Sequence, residues 1–479
     1  MYTAYANEIS EEDLLYEPSE RTSDIQLPSV VNILLLGGWA VICLVGFAII
    51  FFAKNTVLGI TVIGIPTFFG MIIKPTFALC MMMLVLPTGA GVGYMQMFSL
   101  DRGIGIALAV SFLLNLMVSR PSLHIRNKAL WVIITYTIWV FFSSLAAPYV
   151  GSELRRAFTQ FQLLTLAFTV YWILETNSYK TFIWSLRAYV VGSLGTVAMV
   201  FITGAPMGSV EEEAGRYAAT LGRGINANMM AVLLGMAFLA AVYLFVCDKH
   251  IFWRIIYLIA IVFLPFMVLR TGSRGGLIAL VFTILSPLLF LRQVARRPAL
   301  AALMLIIIIF LAGSTRFIAK SRGLEEKVET RLTDVGQITE AVDYRILIAK
   351  TCVTTALKRP LGTSLGGWFE QTGLSNNPHN DFLFTLGIYG IPGAILFLFF
   401  LIMMMLTVKR MPLGMEKLYA RAALIFLLVS GLDITQLYRK HFWVFFAVIL
   451  ASERLAKLHA STDELLPSAG YDEDTLIQD

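Results

Sequence analysis

Charge is the scarcest property of this 479-residue chain, in which only 14% of side chains are Asp, Glu, Lys or Arg. A soluble domain carries about 25%, so a water-exposed globule of this size would lack the polar surface to cover itself. That excludes an ordinary soluble enzyme. Cysteine is almost as sparse. Cys43, Cys80, Cys247 and Cys352 fall in separate segments with no C-x-x-C pair, which argues against both a disulfide framework and a thiolate metal site. Walker A, protein-kinase, G-x-S-x-G, H-E-x-x-H and EF-hand patterns are all missing, so no metal, cofactor or nucleotide is expected. No Lys/Arg-rich stripe within a soluble motif points to nucleic acid. The first 28 residues are acidic and lack a short apolar core, so no cleavable signal peptide is expected and the first apolar run stays in the membrane.

What the chain has instead is long apolar runs, with 58% of residues hydrophobic. A helix needs about 20 apolar residues to cross a bilayer, because every backbone polar group must be satisfied inside hydrocarbon. Runs of this kind lie near 30–53, 56–73, 76–98, 103–119, 129–147, 158–175, 182–204, 226–246, 252–269, 275–291, 298–314, 381–407, 419–436 and 440–453. They predict an all-α, polytopic transmembrane bundle of about 12–14 spans. The organisation expected is an acidic tail (1–28), N-terminal spans (29–225), central spans (226–314), a large, mainly helical loop (315–380), C-terminal spans (381–455) and a second acidic tail (456–479).

The net charge of +6 conceals an asymmetry: without residues 1–28 and 460–479 the body holds 36 basic and 18 acidic side chains. Short Lys/Arg-rich loops stay cytoplasmic. With the N-terminus inside, the inner loops carry Arg120, Arg126 and Lys128, then Lys249 and Arg254, then Arg292, Arg296 and Arg297, then Lys409, Arg410 and Lys417. Both tails then lie inside, and 205–225, 270–274 and 315–380 face outward, into the periplasm of a double-membrane bacterium.

Arginines gather at that outer boundary. Arg216 and Arg223 precede a span that opens with Asn226 and Asn228, and Arg270 and Arg274 bracket Ser273 in the turn RTGSRGG. The 315–380 loop predicts helices near 324–341 and 343–358, the second carrying Arg345 and Lys350, then the turn PLGTSLGGW. Guanidinium forks match phosphate oxygens, and the RTGSRGG backbone N–H groups can also meet an anion. Snorkelling accounts better for Arg155, Arg156, Arg439 and Lys440.

His379 is one of five histidines and the only one inside a polar cluster opening a helix, NNPHND. Asn377 and Pro378 read as N-cap and N1, which would put His379 in the first helical turn, followed by Asn380. The helix dipole there disfavours imidazolium, and a neutral ring is what a general base near pH 7 requires. The alternative is a histidine bonded to nearby backbone in a cap.

From Gly215 to Leu406 the sequence resembles the O-antigen ligase and polymerase superfamily, through RGINAN, RTGSRGG, the loop arginine, PLGTSLGGW and HNDFLFTLGIYGIPG in that order. The resemblance implies glycan transfer from an undecaprenyl pyrophosphate donor to a glycan or lipid acceptor at the outer face of the inner membrane, with the bilayer itself as the other partner. It makes His379 the base, Arg270, Arg274 and Arg345 pyrophosphate binders, and Arg216 and Arg223 secondary binders. Asn226, Asn228, Ser273 and Asn380 would be supporting polar groups. The readings weighed are ligase, polymerase of the same superfamily, and, from another class, a lipid or oligosaccharide transporter.

Overall fold

The structure, a computed structural model, describes residues 29–53, 56–88, 100–119, 127–147, 149–203, 227–285, 335–374 and 378–465. These form fifteen α-helices and no strand. In chain order they are α1 (Ser29–Phe52), α2 (Thr56–Ile73), α3 (Pro75–Val85), α4 (Leu100–Ser119), α5 (Lys128–Leu145), α6 (Val150–Thr176), α7 (Tyr179–Thr203) and α8 (Ala227–Cys247). Then follow α9 (Ile251–Arg270), α10 (Arg274–Leu285), α11 (Val335–Lys358), α12 (Ser364–Thr372), α13 (Asp381–Arg410), α14 (Met415–Gly431) and α15 (Lys440–Leu465).

Among the described residues, six helices are long and apolar enough to cross a membrane: α5, α6, α7 as Tyr179–Met199, α8, α9 and α13. Thr61–Ile73, Pro75–Thr88, Gly103–Val118 and Arg274–Leu285 are shorter apolar helices. The span expected at 298–314 and the loop helix expected from 324 to 334 lie outside the described residues. From Val335 the loop helix runs unbroken to Lys358. The break expected near 342 is absent because Ala341-Val342-Asp343 offers neither Gly nor Pro to interrupt the hydrogen-bond ladder. Likewise α14 stops at Gly431 rather than 436.

Helix α8 is apolar on every side, and such a helix belongs in the interior. Its residues from Met229 to Leu244 are all buried, and α7, α9, α10 and α14 pack around it. Helix α9 runs antiparallel to α8, and α14 antiparallel to α13, so one end of the bundle gathers Arg270, Arg274, Asp381 and the α14–α15 connection. The opposite end gathers Lys249, Arg254, Lys409, Arg410 and Lys417. At that end the Lys417 ammonium donates to the Lys409 carbonyl at 2.9 Å, and Asn127 donates to Glu453 at 3.0 Å.

One irregularity positions the loop that precedes α13. Pro392 cannot donate to the ladder of α13, and at Gly390 the backbone takes φ +70°. Within a membrane helix the freed groups need partners. The PLGTS turn supplies them. Thr363 N–H donates to Ile388 O at 3.1 Å, Ile391 N–H donates to Pro360 O at 2.8 Å, and the Thr363 hydroxyl donates to Gly387 O at 3.0 Å. Trp139 Nε1 of α5 donates to Tyr389 O at 2.8 Å. A side chain at residue 390 would meet Pro360 O at 2.2 Å, so only glycine admits the turn.

Candidate functional site

The site is assembled on the connection 432–439 between α14 and α15. Its first anchor is Asp381 at the start of α13, a buried carboxylate whose Oδ1 accepts from Gln436 N–H at 2.7 Å and Leu437 N–H at 3.0 Å. Two further bonds tie the residues flanking His379 to the same connection. The Thr435 hydroxyl donates to Pro378 O at 2.6 Å, and Asn380 Nδ2 donates to Leu432 O at 3.4 Å. His379 is thereby held beside Asp433.

His379 does not lie in the helix. Asn377 falls outside the described residues, and the cap is Asn380, whose side chain accepts from Leu383 N–H at 2.9 Å. The imidazole therefore precedes the first turn and keeps an exposed face. Surrounding protein nevertheless desolvates it, which is the main reason its pKa falls below the ordinary 6.5. The Arg345 charge lowers it further and Asp433 opposes them.

Arg345 projects from α11 and forms an ion pair with Asp433. Asp433 in turn lies on the N-terminus of α10. A methyl group at Gly275 would meet its carboxylate at 2.1 Å, so the helix start touches the acid. That end of a helix carries partial positive charge, which suits a carboxylate.

The turn RTGSRGG takes its shape from internal bonds. Thr271 Oγ1 donates to Val268 O at 2.6 Å and accepts from Ser273 N–H at 3.1 Å, while Ser273 Oγ caps α10 by accepting from Gly276 N–H at 3.1 Å. Thr271 N–H and Gly272 N–H are bonded to the last carbonyls of α9. The amides of Thr271, Gly272, Ser273 and Gly276 are thus engaged within the turn and the helix ends that it joins. Arg270 ends α9 and Arg274 opens α10, both half-buried.

Of the residues singled out in the sequence, the structure brings together Arg345, His379, Asn380 and the Arg270–Arg274 turn with Ser273. Asn228 lies half-buried in the first turn of α8, one helical turn from Ala231, against which Gly276 packs. Arg216, Arg223 and Asn226 lie outside the described residues. Asp381, Asp433 and Thr435 were missed. An acid inside the span expected at 419–436, in SGLDITQL, was the available signal for Asp433, since ionisable residues within membrane segments are rare without a function.

Residues 259–398 match the O-antigen ligase family model. The matched segment contains Arg270, Ser273, Arg274, Arg345, His379 and Asn380, whereas Asp433 lies beyond it. No curated protein matches the chain.

Proposed function

We propose that this chain, whose residues 259–398 match the O-antigen ligase family model, is a ligase-type membrane glycosyltransferase of that superfamily. It moves a saccharide from undecaprenyl pyrophosphate to an acceptor hydroxyl at the outer face of a bacterial inner membrane. The observation that carries this reading is His379 beside the Arg345–Asp433 pair, with Arg270 and Arg274 in the turn that abuts Asp433. In this reading the acceptor oxygen attacks the anomeric carbon of the donor, and the bond from that carbon to the pyrophosphate oxygen breaks. His379 takes the hydroxyl proton. The leaving lipid pyrophosphate keeps the bonding electron pair, and its negative charge is met by Arg270, Arg274 and Arg345. Asp433 holds Arg345 in place and offsets the charge of the imidazolium that forms.

Orientation follows from the basic loops. Lys249, Arg254, Lys409, Arg410 and Lys417 gather at the end away from His379, which makes that end cytoplasmic. A transporter would spread cationic groups along a path through the bundle, and here the arginines of the site crowd one end.

The test is transfer by the purified full-length protein, given a lipid-linked saccharide donor and a panel of glycan and lipid acceptors. Product that depends on His379 is expected. Equal product from His379→Ala would overturn the assignment of the base. In cells, deletion of a ligase leaves long lipid-linked polymer unattached, whereas single unpolymerised repeats would make the protein a polymerase.

A further inference from the structure

A second polar cluster lies on α6, separate from His379. Glu153, Arg156 and Gln160 recur at helical spacing and so share one face, spanning about 10 Å along the helix. Glu153 and Gln160 are each 1% exposed. A buried polar stripe on an apolar helix is unfavourable unless its groups are satisfied. Here they are satisfied only in part. Glu153 Oε1 accepts from Gly366 N–H of α12 at 3.2 Å and lies 3.9 Å from Arg156 Nη1. Glu153 Oε2, Arg156 Nη1 and Gln160 Nε2 have no hydrogen-bond partner among the described residues.

Two aromatic groups border the cluster. The ring of Tyr149, half exposed, packs on Gly366. Tyr438, bonded through its hydroxyl to Tyr389, stands within electrostatic reach of Glu153 and Arg156. Tyr438 is five residues from Asp433 on the same connection, so these two residues are at most about 18 Å apart along the chain, the length of a few sugar rings. The unfilled inventory is one carboxylate oxygen, one amide donor and one guanidinium donor, with an aromatic ring close by. That mixture suits a polyhydroxylated ring better than an anion, which Glu153 would repel.

We propose that Glu153, Arg156 and Gln160, with Tyr149 beside them, form a subsite that reads the hydroxyl groups of a saccharide substrate. This rests on the glycosyltransferase reading above. Donor and acceptor both carry such groups, and the substrate whose KM responds to the cluster identifies which of them occupies it.

The experiment measures steady-state transfer by full-length wild type, Gln160→Leu and Glu153→Gln, varying donor and acceptor separately, with thermal unfolding of each. Gln160→Leu removes an unsatisfied buried amide, so its melting temperature should not fall. The KM of one saccharide substrate, acceptor or donor, should rise at least tenfold, with kcat and the other KM within twofold. Glu153→Gln keeps an oxygen for Gly366 N–H and should show the same pattern. Both KM values unchanged, as expected if the cluster holds only water, would overturn the proposal. Saturation-transfer NMR of His379→Ala with the soluble glycan portions of the donor and of each acceptor tests the subsite without turnover. Signal lost in the Gln160→Leu background supports it and signal unchanged rejects it. If wild type transfers nothing while this binding persists, the transfer reading fails and the subsite stands.

Discussion

Arg345 and Asp433, 88 positions apart in the chain, meet as an ion pair at the His379 end of the bundle, and Gly275 lets the start of α10 close on the same carboxylate. Two separate helices, α10 and α11, therefore converge on one acid. The expectations below follow from that convergence and from the loop docking beneath it.

The protonation of His379 should report both partners. Its pKa lies below 6.5 through desolvation and the Arg345 charge, opposed by Asp433. The neutral base is present above that pKa, so kcat/KM should be level near neutral pH and fall as pH drops through it. Arg345→Ala removes a cation and should move the acid limb to higher pH, whereas Asp433→Asn removes an anion and should move it to lower pH. A pH–rate profile of each variant checks both signs.

Loss of the pair should be felt in turnover more than in stability. Because Arg345 is largely exposed, its pairing contributes little to folding. As a preorganised donor for the leaving pyrophosphate, its removal should lower kcat by on the order of 10²–10³. Thermal unfolding in detergent alongside kinetics separates the two effects.

Gly275→Ala should impair activity without touching a charged group. The added methyl would collide with the Asp433 carboxylate at 2.1 Å and push it from Arg345. A fall in kcat and a shift of the acid limb to lower pH, in the direction of Asp433→Asn, are the expected readouts.

Gly390→Ala should unfold the outer loop from α13. The new Cβ would meet Pro360 O at 2.2 Å, and the residue would have to keep φ +70°. Such backbone incompatibility destabilises by more than about 1 kcal/mol. Faster limited proteolysis within 359–374 is the check.

Asn380→Ala removes a helix cap that also steadies His379. A lost cap costs about 1 kcal/mol. Asn380→Asp, which keeps the accepting oxygen for Leu383 N–H, should restore the melting temperature.

The helical class was legible because hydrophobic runs of membrane length admit few other structures, and Arg345 and His379 stood out because charge is rare here. The cap was misplaced for a local reason. Asn377 and Asn380 are both good caps by residue type, and only the bond from Leu383 N–H distinguishes them. Asp433 and Asp381 escaped because their importance lies in partners far along the chain, namely Arg345 and the amides of Gln436 and Leu437. Gln160 reads as an ordinary member of the span expected at 158–175, and Glu153 lies before that span, until burial shows that both are enclosed.

The PLGTS turn is joined to α13 largely through main-chain groups. Its attachment is therefore written in peptide amides, which makes it visible to hydrogen–deuterium exchange. The Thr363 and Ile391 amides should exchange together and slowly, at the rate at which the loop lets go of the helix rather than at the rate of a surface turn. A donor or acceptor that binds at His379 would slow both.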